Sequence, residues 1–203
     1  MRVRLVPLVI VVLTLAGFPA SNGLAQNPAP QAPQDECPME ISFADPDAGD
    51  YWRAVNDGVM GGRSSGGPSF QNGAMVFKGN INTNGGGFSS VRARMEQGAL
   101  EGSSGLKMRV KSDGRIYKIT MRTDLRYRSR RISFQAEIPL TPKGEWAEVD
   151  VSFSTLEASL FGRPISGARF AAKDVRELGI ILADGKDGPF QLEVEWIKSR
   201  CKT

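Results

Sequence analysis

Four separate stretches of this chain place apolar residues at every second position, and that period constrains the fold more than any other feature. The sets are Leu106, Met108 and Val110; Tyr117, Ile119 and Met121; Ile132, Phe134, Ala136 and Ile138; and Val149, Val151 and Phe153. Successive side chains of an extended strand point to opposite faces, so each set is a strand with one buried face. Turn signals separate them: Ser112-Asp113-Gly114, Thr141-Pro142-Lys143-Gly144 and the run from Asp184 to Pro189. Further strands fit Ala74 to Asn80, Phe88 to Arg94, Leu178 to Leu182 and Phe190 to Lys198, and the last alternation carries Trp196 onto the core face with Phe190, Leu192 and Val194. Only Thr155 to Phe161 and Ala172 to Glu177 suit a helical turn or two. Short strands at this spacing predict an all-β antiparallel sandwich or barrel.

The ends of the chain predict export. Met1-Arg2-Val3-Arg4 followed by the apolar run from Leu5 to Phe18 has the form of a secretory signal, with Gly23-Leu24-Ala25 as the cleavage site. The run contains Pro7 and Thr14 and is shorter than the ~18 apolar residues a spanning helix requires. Residues 1–25 are therefore expected to be a cleaved signal peptide, leaving a soluble periplasmic or secreted product with no transmembrane segment. Residues 26–36 carry three prolines in Gln26–Gln34 and no apolar period, which predicts a linker. Residues 37–201 read as one domain, long enough to bury a single core. The chain's two cysteines, Cys37 and Cys201, stand at its two ends. In an exported protein that placement predicts a disulfide tying the ends together.

Composition excludes several functions. The chain has no histidine, so the commonest general base, every histidine-based triad and histidine zinc sets are absent. Removing residues 1–25 takes away Arg2 and Arg4 and no acid, so the formal charge falls from +4 to +2. A nearly balanced exported protein has no global field for nucleic acid. Its glycine-rich stretches are not followed by Gly-Lys-Ser or Gly-Lys-Thr, and no cofactor or metal pattern is present. Asp113, Asp124, Asp150 and Asp184 leave open a pair of catalytic carboxylates. In one extended strand Arg126, Arg128 and Arg130 would share a face around Tyr127, which suits either solvent or an anionic partner.

Two loops are richer in glycine and Asx residues than packing requires: Asn56-Asp57-Gly58-Val59-Met60-Gly61-Gly62-Arg63-Ser64 and Asn82-Thr83-Asn84-Gly85-Gly86-Gly87-Phe88. Glycine permits positive φ and close approach, while Asn and Asp heads bond to neighbouring amides. The partner-binding candidates are Asn56, Asp57, Met60, Gly61, Gly62, Asn84, Gly86, Phe88 and Arg92. The competing reading is that the same residues bond to one another and build a rigid sandwich corner, with Met60 and Phe88 as plugs beneath it. Trp52 and Trp146 are likewise either exposed stacking platforms or core.

With Trp52 upstream and Gly188-Pro189-Phe190-Gln191-Leu192-Glu193-Val194-Glu195-Trp196-Ile197 near the end, these loops resemble the complex I intermediate-associated protein family, the thirty-kilodalton one. The resemblance covers nearly the whole mature chain. It implies a galactose-binding-like jelly roll, no enzymatic activity, and a protein partner such as an assembly intermediate of a membrane respiratory complex. Jelly rolls of this type also resemble sugar-binding domains, so the alternative is a carbohydrate-binding module for an envelope glycan. A glycan-active enzyme using two carboxylates is the third reading.

Overall fold

A computed structural model describes residues 39–201. The signal segment, the linker and Cys37 lie outside the described residues. Thirteen strands follow in chain order: β1 (Glu40–Ser42), β2 (Trp52–Asn56), β3 (Ser65–Gln71), β4 (Ala74–Ile81), β5 (Ser89–Arg94), β6 (Ser103–Ser112), β7 (Tyr117–Tyr127), β8 (Arg130–Glu137), β9 (Trp146–Ser152), β10 (Glu157–Leu160), β11 (Arg163–Pro164), β12 (Glu177–Leu182) and β13 (Gly188–Cys201). They form an antiparallel jelly-roll β-sandwich. One sheet runs β3-β4-β13-β6-β9, with β1 also on β13; the other runs β11-β10-β8-β7-β12-β5-β2.

The alternating apolar sets meet between the sheets. Phe77, Leu106, Met108, Val110, Leu192 and Ile197 of the first sheet and Ile119, Met121, Leu178 and Ile180 of the second are all buried in one cluster. Phe77 packs edge-on to Phe190 with ring centroids 4.8 Å apart, and Tyr117 closes the same group. The Tyr117 hydroxyl reaches out of the core to the Asp113 carboxylate. Burial pushes its pKa up, and the Asp113 charge adds to the effect.

Three expectations change. The stretch from Thr155 to Phe161 is not helical: a single 3-10 turn at Phe153–Thr155 leads into β10, which pairs with β8 so that Ala158 stands opposite Phe134. Pairing and burial outweigh a weak local helical pattern there. Ala172 to Glu177 holds a 3-10 turn at Ala172–Asp174 only, and Glu177 already begins β12. Trp196 is not core. The β13–β6 register slips between Val194 and Trp196, so the buried positions change from even to odd and Ile197 takes the core face. A bulge inserts one residue and turns the following side chains over. Trp196 lies half-buried on the outer face, with the Lys198 ammonium 5.1 Å from its ring centre.

β3 was not visible in the sequence pattern because its segment, Ser65-Gly66-Gly67-Pro68-Ser69-Phe70-Gln71, lacks an apolar period. It pairs only with β4, at the end of its sheet, where a proline costs no ladder bond.

Candidate functional site

The two glycine loops meet at one corner, and Asp57 is the residue that joins them. It opens a 3-10 turn, Asp57–Met60, immediately after β2. Its own amide donates to the Phe88 carbonyl at 3.2 Å. Its carboxylate is fully buried and accepts four hydrogen bonds: the Ser64 amide on Oδ1 at 2.8 Å, and on Oδ2 the Ser64 hydroxyl at 2.6 Å, the Gly87 amide at 2.6 Å and the Phe88 amide at 3.3 Å. Burial alone works to raise the carboxyl pKa. The Ser64 hydroxyl and the amides of Gly87, Ser64 and Phe88 outweigh it and hold the group below its ordinary range.

The same carboxylate explains two of the glycines. A Cβ on Gly62 would stand 2.3 Å from Asp57 Cγ, and a Cβ on Gly86 would stand 2.3 Å from Oδ2. Gly61 caps the 3-10 turn with φ of 90°, a left-handed conformation. The remaining polar residues complete the corner. Ser64 Oγ accepts from the Asn82 amide at 3.0 Å, and the Thr83 amide donates to Asp187 at 2.6 Å, drawing in the turn before β13. Asn56 donates through Nδ2 to the Gly66 carbonyl and accepts from Ser89 Oγ at 2.6 Å.

The candidate residues therefore separate. Asn56, Asp57, Gly62 and Gly86 form the frame of the corner, and the heads of Asn56 and Asp57 are occupied by the chain itself. Phe88 is half-buried and binds Asp57 through its backbone. Asn84 and Gly86 are exposed on the second loop. Met60 is 53 % exposed, and its neighbour Val59, which sequence reasoning passed over, is 74 % exposed. The apex of the 3-10 turn is thus an apolar pair on a locked base. Val59 carried no signal in the sequence because a single apolar residue within a glycine loop reads equally as a plug.

Arg92 does not belong to this corner. It lies mid-way along β5 on the outer face of the seven-stranded sheet, nearly buried, with Nε on Ser90 Oγ at 3.1 Å. Arg53, Arg92 and Arg122 converge on Glu177 at 2.6, 3.6 and 3.6 Å. Desolvation, and next the neighbouring Arg122, lower the Arg92 pKa to about 10 against the pull of Glu177, so the guanidinium stays charged at neutral pH.

The carboxylates considered for catalysis are each engaged by neighbouring groups, and Asp113 and Asp184 share Arg115 as a partner. Asp184 is held by Arg115 through two bonds of 3.0 and 2.6 Å, Asp113 by Tyr117 and the Gln191 amide, Asp124 by Arg131 and Arg176, and Asp150 faces Arg200 at 3.8 Å. Arg115 also donates to the carbonyls of Gly188, Pro189 and Lys186, binding the turn before β13 to the sandwich. Among the described residues no group of His, Cys, Asp or Glu is placed to hold a metal ion.

Comparison with known proteins gives a family and a fold. The sequence model of the family described as Complex I intermediate-associated protein 30 matches residues 41–194. The mouse mitochondrial protein of that name is 30 % identical over 122 residues, which are 55 % of this chain and 37 % of that protein. This match spans well under half the length of that relative. Among solved structures, the family 11 carbohydrate-binding module of a Clostridium thermocellum cellulosomal cellulase superposes with a TM-score of 0.60 at 14 % identity, over 81 % of this chain and 95 % of the module. The same kind of module solved with a β-1,3-1,4-mixed-linked tetrasaccharide gives a TM-score of 0.59 at 14 % identity, covering 81 % and 98 %. At that identity the likeness is one of fold.

Proposed function

The chain belongs to the complex I intermediate-associated protein 30 family, and from that premise we propose that it is a non-catalytic module that binds a protein partner through the corner built on Asp57. The carrying observation is the exposed pair Val59 and Met60 at the apex of a turn whose base accepts four hydrogen bonds. An apolar contact held on a rigid frame loses little conformational entropy on binding, and methionine adapts to varied surfaces. The partner is an assembly intermediate of a membrane complex, as the name of the mouse relative suggests for that protein. With residues 1–25 removed on export, the module works in the periplasm or outside the cell, on portions of the membrane complex exposed there.

A photo-crosslinking side chain at position 59 or 60, with position 143 in the turn before β9 as control, tests this reading. The expected result is a common protein adduct from 59 and 60 that is absent from 143 and lost in a Met60→Asp variant that melts normally. Identical adducts at all three positions would sink it.

A carbohydrate-binding module is the second reading. It is favoured by the outer face of the seven-stranded sheet, where the accessible side chains of Arg53, Lys118, Arg122 and Gln135 lie on the same face as Arg92. Binding on a glycan array that is lost in Arg92→Ala and retained in Met60→Asp would select it over the first.

A further inference from the structure

The geometry points to a docking surface for an anionic lipid bilayer at the end of the seven-stranded sheet, formed by two adjacent hairpin tips. The first is the β7–β8 hairpin. Every residue from Asp124 to Arg131 is exposed, so this stretch of paired strand projects beyond the sandwich. It carries four arginines against one aspartate. The second tip is the turn of the β10–β11 hairpin at Phe161-Gly162, brought alongside because β10 pairs with β8. The contact is direct: the Arg130 guanidinium lies 5.5 Å from the centre of the Phe161 ring.

The arrangement is amphipathic. Tyr127 pairs with Arg130, so the two share a face. Phe161 meets that face through Arg130, and the tips expose Leu125, Tyr127 and Phe161 by 42 %, 42 % and 60 %. Arg126 pairs with Arg131 on the opposite side. The turn residues themselves are chosen against local geometry. Arg128, Ser129 and Phe161 all have positive φ, of 47°, 66° and 50°, at two-residue hairpin turns that ordinarily take Asn and Gly. A bulky aromatic in the left-handed region is costly, so Phe161 is not there to make the turn.

A bilayer suits these features better than an acidic protein. The surface is a projecting edge rather than a groove, and its charges are not arranged to grip one fixed acceptor. Aromatic rings and aliphatic arginine stems enter the headgroup region while the guanidinium groups stay among phosphates.

Full-length protein is titrated with phosphatidylcholine vesicles with and without phosphatidylglycerol, while amide hydrogen exchange is followed. Expected is anionic-lipid-dependent protection at 124–131 and 160–163. The anionic-to-neutral affinity ratio should fall about tenfold in Phe161→Ser and in Arg126→Gln/Arg130→Gln, with both variants melting like the parent. Referring to neutral vesicles and reading local protection separates the tips from the apolar run at residues 5–18. Absence of protection at the tips overturns the proposal. So does equal protection by soluble polyglutamate together with an unaffected Phe161→Ser, which would assign the arginines to an acidic macromolecule.

Discussion

The Asp57 carboxylate and the Gly86 backbone are in contact so close that a Cβ on Gly86 would lie 2.3 Å from Oδ2. The obstruction is a side chain held by four hydrogen bonds, not the far end of a flexible one. Gly86→Ala should therefore cost about 1 to 3 kcal/mol, as overpacking does. In an Asp57→Ala background the two nearest contacts are gone and the Asp57 Cβ at 2.8 Å remains, so the same substitution should cost less. Urea unfolding of the four proteins of this cycle measures the coupling; additive costs would show that the glycine serves something other than Asp57.

Asp57 also sets an acid limb to stability. Its folded pKa lies below the ordinary value of 3.8, so its contribution is fully present above that value. It is lost as pH falls from there through the folded pKa. Asp57→Asn replaces an acceptor by a donor amide facing three N–H groups and a hydroxyl, so at neutral pH it should cost about 2 to 3 kcal/mol, lowering the melting temperature by several degrees. Unfolding followed across pH 5 to about 2 should be shallower for the variant than for the parent. Parallel slopes would remove Asp57 as the cause.

Arg115 is expected to be a structural clamp. Its side chain is 12 % exposed and that of Asp184 only 2 %, so removing the cation strands a nearly buried carboxylate. Arg115→Leu should cost about 3 to 5 kcal/mol and Asp184→Asn less, because the amide still accepts from a guanidinium. Chemical denaturation distinguishes this from an exposed ion pair, for which both changes would be nearly neutral.

The disulfide expectation is tested at the end of β13, the strand that carries Cys201 and pairs with β1. Glu40 pairs with Lys198 and Ser42 with Trp196, and the Ser199 amide donates to the Met39 carbonyl. Peptide mapping without reductant should recover Cys37 and Cys201 in one linked pair. Cys201→Ser should then lower stability by about 2 to 5 kcal/mol and leave strand content intact. Two free thiols in exported protein would end the claim.

The fold was legible where side-chain period and pairing agree. β6 to β9 bury the residues their pattern names, except Phe153, which lies half-buried in the 3-10 turn after β9. β3 was hidden because edge position lets glycine and proline stand where apolar residues would otherwise be needed, and β10 because its partner β8, not its own composition, makes it a strand. Trp196 shows the limit of period-two reading: one bulge at Glu195, invisible in the alternation, reverses every face after it. At the corner, the sequence named residues that, Arg92 apart, do meet there, with two roles open. Distances decide that Asp57 and Asn56 are spoken for by backbone groups and by the hydroxyls of Ser64 and Ser89. Only the exposure of Val59 and Met60 singles out what is free to meet a partner.

Glu177 holds together the outer face of the seven-stranded sheet, and its three arginines should not be equivalent to it. Arg53 is half exposed, and its 2.6 Å contact is screened by water, so Arg53→Gln should change stability by less than about 1 kcal/mol. Glu177 is only 12 % exposed at the side chain and lies within reach of the nearly buried Arg92 and of Arg122. Glu177→Gln leaves those guanidinium groups facing each other without a counter-charge, and should cost about 3 to 5 kcal/mol. Arg92→Gln combined with Glu177→Gln should recover part of that loss, since the desolvated cation that needed the carboxylate is gone. Denaturation of the two single variants and the double variant gives the answer. If Glu177→Gln costs no more than Arg53→Gln, the carboxylate is not what keeps Arg92 charged beneath that surface.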